Sequence, residues 1–231
     1  MPQKKPVDSK VYDKSYFEQT DGALFFFENK TAPKFNSAIK KCNLSPGDRA
    51  LDIGCGRGDL VIALAKHQAN AVGLDYSEEA LSIAHETVSD LSEELQNRIF
   101  LINSDATKLA FPKRSFDFVF LMDIAEHLSS EQLLRCFQES HRILKENGKL
   151  IVHTSPNRWY NDFGYPFWEQ PINKVLNLIF KQELLTRPIR NEIDLKVHIN
   201  EQTILSLKKS LEISGFHIGR ISGWSLLLLR H

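Results

Sequence analysis

The sequence predicts an α/β fold: a mostly parallel sheet of seven strands with helices on both faces. Two observations carry this prediction. From Arg49 onward, short runs of strand-forming apolar residues alternate with stretches whose apolar residues recur at helical spacing, the pattern of βαβ units. Past Glu201 the alternation gives way to one helical stretch and two consecutive strand-like runs, which predict an antiparallel pair at the C-terminal side.

The parallel strands are predicted at residues 50–53, 71–75, 99–103, 116–121 and 149–154, all five buried. Between them, residues 59–67, 77–95 and 130–144 read as helices; the last places Leu133, Phe137, His141 and Leu144 on one stripe. Asn147-Gly148 is expected to end that helix through a positive φ at the glycine. Beyond Ser155 the chain becomes rich in Trp, Tyr, Phe and Pro, with only 172–185 helical, and reads as an insertion above the sheet. Residues 201–214 are helical again, Gly215 is a C-cap, and strands at 216–221 and 224–230 meet at Ser222-Gly223. The length suits one catalytic domain over 1–231, divided into a helical N-terminal cover (1–48), a cofactor-binding core (49–155), a lid insertion (156–200) and a C-terminal helix with its strand pair (201–231).

Composition narrows the function. Lys plus Arg equals Asp plus Glu at 29 each, so no overall positive field gathers nucleic acid, and none is expected as a partner. The three cysteines Cys42, Cys55 and Cys136 follow no metal or disulfide spacing and read as free thiols of a reducing compartment. Residues 1–14 are polar and 226–229 is far shorter than the roughly 20 apolar residues a bilayer span needs, which together predict a cytoplasmic protein.

The run Leu51-Asp52-Ile53-Gly54-Cys55-Gly56-Arg57-Gly58 sits where a strand turns into a helix, and its glycines let backbone approach a ligand that a Cβ would displace. A Rossmann-like nucleotide site follows from that position. Asp75 ends the next strand, 21 positions after Gly54, where a carboxylate accepts hydrogen bonds from both ribose hydroxyls. The loop departs from the dinucleotide G-x-G-x-x-G: its third glycine comes one residue early, and Asp59 stands where a carboxylate would oppose a pyrophosphate. Asp52 instead suits an ammonium, held directly or through water. A nicotinamide-dependent reductase is further disfavoured because Tyr160 and Tyr165 are followed at Lys spacing by Gly164 and Glu169.

Over about residues 49–157 the chain resembles the class I S-adenosylmethionine-dependent methyltransferases. The resemblance rests on LDIGCGRG, VGLDYS, NSDATKLAF, FDFVFLMDIAEHL and RILKENGKLIVHTSPN in family order. It implies that Gly54, Cys55, Gly56 and Gly58 form the cofactor loop, that Tyr76 packs on the adenine, and that Asp105 and Ala106 contact its amino group and ring nitrogen. A backbone carbonyl near Met122 would meet the cofactor's ammonium.

Methyl transfer is an in-line displacement, so positioning the acceptor accounts for much of the catalysis, but an oxygen acceptor must also lose a proton. Glu126 and His127 follow the fourth strand at the sheet's carboxyl edge; His127 is the candidate base, or else a residue that shapes the loop by bonding a backbone carbonyl. Asp123-x-x-Glu126-His127 also resembles the acid-x-x-Glu-His motif of metal-using O-methyltransferases of ubiquinone biosynthesis and small-RNA ends. The resemblance implies Asp123, Glu126, His127 and His198 as ligands of Mg²⁺, Mn²⁺ or Zn²⁺. Asp123 replaces the usual Glu and is one methylene shorter, so the sequence reading favours a site without metal.

Trp159, Tyr160, Phe163, Tyr165, Phe167 and Trp168 of the insertion, with Tyr12, Tyr16, Phe17 and Phe25 to Phe27, are candidates to wall an acceptor pocket, which favours an aromatic or lipid-like small molecule. Ile172, Val175, Leu176 and Ile179 share a helix face near Lys174 and Lys181; docking against the sheet is the favoured use, peripheral membrane contact the other. The alternatives to a small-molecule enzyme are a non-catalytic cofactor-binding module and a nucleic-acid methyltransferase. Ser155-Pro156-Asn157 differs from the Asn-Pro-Pro-aromatic element of amino-directed DNA enzymes.

Overall fold

The computed structural model describes residues 7–12, 16–17, 31–154, 158–181, 184–186, 192–222 and 225–230. Phe25 to Phe27, Ser155 to Asn157, Gly223 and Trp224 lie outside the described residues. After a short 3₁₀ turn at Ser9–Val11, the elements are α1 (Pro33–Cys42), β1 (Arg49–Ile53), α2 (Asp59–Lys66), β2 (Asn70–Asp75), α3 (Glu78–Ser89), α4 (Glu93–Gln96), β3 (Ile99–Asn103), β4 (Phe116–Met122), α5 (Ser130–Ile143) and β5 (Leu144–His153). A π-helix at Tyr160–Glu169 then leads into α6 (Gln170–Phe180), α7 (Glu192–Val197), α8 (Ile204–Ile213), β6 (Phe216–Ser222) and β7 (Ser225–Arg230).

The strands run in the order β3-β2-β1-β4-β5-β7-β6. Five of the seven strands run parallel, and β7 and β6 continue the sheet antiparallel beyond β5. Strand order reverses at β1, which lies between β2 and β4. In open α/β sheets such a switch point leaves a crevice at the carboxyl ends, and the candidate residues cluster there.

Side-chain alternation sorts the core into two layers. Leu51, Ile53, Val119 and Leu121 face one side, where α5 contributes Leu133 and Phe137 and α8 contributes Leu207 and Leu211. Ala50, Phe118 and Phe120 face the other, against Ala38 and Ile39 of α1 and Leu60, Val61 and Leu64 of α2. Helices therefore cover both faces.

Four expectations need correction. First, β3 is an edge strand that exposes Phe100 and Ile102, so it is not a buried strand. Second, the helix predicted over 77–95 is two, α3 and α4, separated at Asp90 to Ser92. Third, α5 ends at Ile143, where Leu144 turns extended, and Asn147-Gly148 lies inside β5. Gly148 has no positive φ; a Cβ there would come within 2.9 Å of Leu144 Cδ2 and the Lys145 carbonyl, so the glycine serves close approach. Fourth, the stretch before residue 172 is helical: it forms the π-helix, and Pro166, which lacks an N–H, sits within it.

Candidate active site

The turn after β1 is built by backbone. Gly54, Gly56 and Gly58 all have positive φ (75, 52 and 86°), and the Gly54 and Cys55 N–H groups donate to the Leu74 carbonyl at 2.7 and 3.0 Å, folding the loop against β2. A Cβ on Gly54 would lie 2.5 Å from Ile124 Cδ1. Gly58 is the left-handed N-cap of α2. Asp75 fixes the loop from the neighbouring strand: its carboxylate accepts from the Gly56 N–H at 2.8 Å and the Ser77 N–H at 2.9 Å. Two backbone bonds leave lone pairs on that carboxylate for further donors.

Gly54, Gly56, Asp75, Tyr76, Asp105, Ala106 and Met122 line one cavity of about 220 Å³. Asp105 accepts from the Thr107 N–H at 2.7 Å, which orients its side chain, and Ala106 is buried beside it. The remaining three candidates for this site stand behind the wall. Cys55 is buried, with its sulfur beside Gly73, and Gly58 caps the helix. Asp52 is buried, and its Oδ1 has no hydrogen-bond partner among the described residues. Burial, then the charges of Asp75 and Asp59, push the Asp52 carboxyl well above its ordinary range. Burial also raises Asp59 and Asp75, despite Arg57 3.2 Å from Asp59. Asp52 and Asp75, buried and with no salt bridge among the described residues, fit a cationic ligand.

The same cavity is lined by Asp123 and His127. Asp123 has a left-handed backbone (φ 58°), and its carboxylate bridges Lys34 Nζ at 2.5 Å and His153 Nδ1 at 2.6 Å. Burial favours protonation, but His153 and Lys34 prevail and hold Asp123 down to about 2. Glu126 is buried; its Oε2 accepts from the Thr154 hydroxyl at 2.9 Å, and its backbone carbonyl accepts from the Asn200 N–H at 3.0 Å. His127 Nδ1 lies 2.7 Å from the Tyr12 hydroxyl. Burial, reinforced by His198, lowers His127 to about 3. A neutral imidazole of that kind bonds a donor or a metal well but accepts a proton weakly, which counts against its role as base.

Of the four candidate metal ligands, Glu126, His127 and His198 offer ligand atoms within 4.8 Å of one another. The His127 and His198 rings meet edge to face at 5.1 Å. Asp123 stands outside this group because Lys34 and His153 hold its carboxylate. One carboxylate and two imidazoles form a mixed oxygen and nitrogen set that fits a divalent ion with open positions.

Tyr12, Tyr16 and Phe17 do line the cavity, and they close it: Tyr12 meets Tyr16 and Tyr76 edge on, its carbonyl accepts from the Ser77 hydroxyl, and the Phe17 carbonyl accepts from Arg57 at 2.5 Å. The insertion aromatics do not line it. Tyr165 is buried within the insertion, while Trp159, Phe163, Phe167 and Trp168 are exposed. Lys34 and His153 escaped the sequence reading because a lone Lys on a helix and a lone His ending a strand carry no spacing signal; only the fold brings them to Asp123.

Residues 50–148 match the family described as a methyltransferase domain. The chain is 37% identical over 145 residues to the demethylmenaquinone methyltransferase of Lactobacillus johnsonii, covering 61% of this chain and 52% of that protein. It is 29% identical over 147 residues to cyclopropane mycolic acid synthase 3 of Mycobacterium tuberculosis, covering 63% and 48%. The chain thus spans about half the length of the curated relatives it matches. A SAM-dependent methyltransferase from Aquifex aeolicus shares the fold, with a TM-score of 0.61 and 19% identity over 97% of this chain and all of that one. Over residues 50–148, then, the chain is similar to methyltransferase domains.

Proposed function

We propose that the protein binds S-adenosylmethionine in the cavity at the carboxyl edge of β1 and β2 and transfers its methyl group to an oxygen of a small aromatic or lipid-like acceptor. One observation carries the reading: the glycine loop, Asp75, Tyr76, Asp105 and Ala106 share a single cavity with Asp123 and His127. In this reading Asp75 accepts the ribose hydroxyls, Asp105 and Ala106 meet the adenine edge against Tyr76, and the Met122 carbonyl and the buried Asp52 favour the positively charged methionine end. Tyr12 and Phe17 exclude water from the reacting methyl.

The acceptor's proton falls to the Glu126-His127 loop. Because His127 is held neutral to about pH 3, it acts by orienting the acceptor hydroxyl or by ligating a metal rather than as a strong base. Glu126, His127 and His198 would hold Mg²⁺, Mn²⁺ or Zn²⁺, and such an ion, when bound, lowers the pKa of a coordinated hydroxyl. The two curated relatives, a demethylmenaquinone methyltransferase and a cyclopropane mycolic acid synthase, support a quinone-like or lipid acceptor.

The test is methyl transfer from S-adenosylmethionine to a panel of catechol, hydroquinone and acyl-chain acceptors, followed by mass spectrometry with and without exhaustive chelation. The reading expects a product 14 mass units heavier, with the increment on oxygen, and at least about a ten-fold loss in His198→Ala if a metal acts. Activity unchanged by chelation would remove the metal. A bound cofactor with no product from any acceptor would favour a non-catalytic binding module instead.

A further inference from the structure

The insertion carries a helix built inside out. On α6, Gln170, Asn173 and Asn177 share one face and turn it toward the chain: their side-chain amides donate to the carbonyls of Thr186, Leu185 and Leu184 at 2.7, 2.8 and 2.9 Å, and Asn177 Oδ1 accepts from the Leu184 N–H at 2.8 Å. Ile172, Val175 and Ile179 fall opposite and are exposed, flanked by Leu178 (84% exposed) and Phe180. The expected docking of this apolar face on the sheet therefore does not occur. The π-helix extends the patch with Phe163 stacked on Phe167 (70% exposed) and with Trp168 (73% exposed). Large apolar side chains exposed together along one helix and the π-helix before it mark an interaction site.

Charge selects the occupant. From Gln170 to Lys181 there is no acid, while Lys174 and Lys181 add two positive charges. In the π-helix, Glu169 accepts from the Tyr160 hydroxyl and Asp162 pairs with Arg158. A protein interface would be expected to carry a rim of uncharged polar groups, but here the amide side chains of α6 bond carbonyls of its own chain. An apolar face, exposed aromatics and a helix that carries lysine but no acid match a helix lying in the plane of an anionic membrane. At about 16 Å, α6 is too short to cross one, and no helix among the described residues is long and apolar enough to do so.

We infer that the π-helix and α6 seat the protein on the surface of an anionic lipid bilayer. The seat is tied to the active-site side of the molecule. Tyr165 is buried and donates to the Leu185 carbonyl at 2.9 Å, the Arg158 N–H donates to the Gln202 carbonyl at 3.1 Å, and the neighbouring Asn200 N–H donates to the Glu126 carbonyl. The inference stands independently of the methyl-transfer reading.

Co-sedimentation of the full chain with vesicles of phosphatidylcholine, with and without phosphatidylglycerol, tests it. The anionic vesicles should retain the protein; Leu178→Glu should weaken retention by at least about ten-fold, and Lys174→Ala by about five-fold, more at low salt. Trp168 emission should be quenched by bromine-labelled acyl chains. Because Leu178 makes no buried contact, Leu178→Glu should titrate S-adenosylmethionine as the parent does; loss of cofactor binding in both proteins would strike the methyltransferase reading and leave the membrane seat standing. No retention on either vesicle, equal retention on neutral and anionic vesicles, or retention indifferent to Leu178→Glu would overturn the inference. A dimer that Leu178→Glu dissolves, without vesicle binding, would assign the face to a second copy and overturn it as well.

Discussion

The loop from Asp52 to Gly58 and the insertion from Arg158 to Lys181 solve opposite burial problems. In the first, carboxylates are buried and the backbone supplies most of their partners, so Asp75 is held by the Gly56 and Ser77 N–H groups and Asp52 is left short of positive charge. In the second, amides face inward and apolar side chains face out. Each arrangement is unfavourable for an isolated fold, and each becomes favourable when something binds: a cationic ligand at the first, a lipid surface at the second. The molecule's two departures from ordinary burial thus point to its two surfaces of contact.

The largest expected effect breaks the loop. Gly54→Ala places a Cβ in a left-handed position 2.5 Å from Ile124 Cδ1 and should weaken cofactor binding by at least about ten-fold in calorimetry, with about 1–2 kcal/mol of stability lost to the backbone alone. Adding Ile124→Ala should return the part due to the clash and not the part due to φ. Full recovery would mean that the conformation carries no cost.

An intermediate effect concerns acid. In the metal-free chain His127 stays neutral down to about pH 3, against 6.5 for an ordinary histidine, so between those values the unfolded chain binds a proton that the folded chain does not. Stability should therefore fall as pH drops from 6.5 toward 3. Asp123, held down to about 2 against an ordinary 3.8, adds stability that is complete above 3.8 and disappears as pH falls through 2. Urea unfolding at pH 7 and pH 4.5 should show a smaller decline in His127→Gln than in the parent. Equal declines would show that His127 is not buried neutral.

The smallest effect sharpens the role of the N-terminal cover. Tyr12→Phe removes the 2.7 Å contact with His127 but keeps the ring against Tyr76, so turnover should fall only a few-fold, consistent with about 1 kcal/mol for one such bond, with little change in cofactor affinity. A large loss of affinity would instead make the Tyr12 hydroxyl a direct cofactor contact.

Much of the first region was legible in the sequence because its chemistry follows chain-local rules. Glycines at a strand-helix junction and an acid at the end of the next strand need only correct strands to meet, and β1 and β2 lie where the periodicity puts them. The Glu126, His127 and His198 group needed one long-range contact, and His198 was reached only through a motif. Asp123 was misread because nothing near it in sequence announces Lys34 or His153, which capture its carboxylate. The insertion was misread for another reason. Apolar spacing predicts a helix with one apolar face but does not say which way that face turns; three amides bonding to residues 184–186 decide it. The early end of α5 is a similar case: Gly148 looked like a turn residue but is glycine because Leu144 and Lys145 leave no room for a side chain.

An acidic, glycine-lined cavity suits a cationic nucleoside and not a pyrophosphate. Calorimetric titration of the cofactor-stripped chain with S-adenosylmethionine and, separately, with NAD addresses it directly, with Asp75→Ala as the control and circular dichroism to verify its fold. S-adenosylmethionine should bind, NAD should not, and a folded Asp75→Ala should lose about 100-fold or more in affinity, as removal of a carboxylate carrying two charged hydrogen bonds requires. Binding of NAD, or S-adenosylmethionine binding indifferent to Asp75, would contradict it.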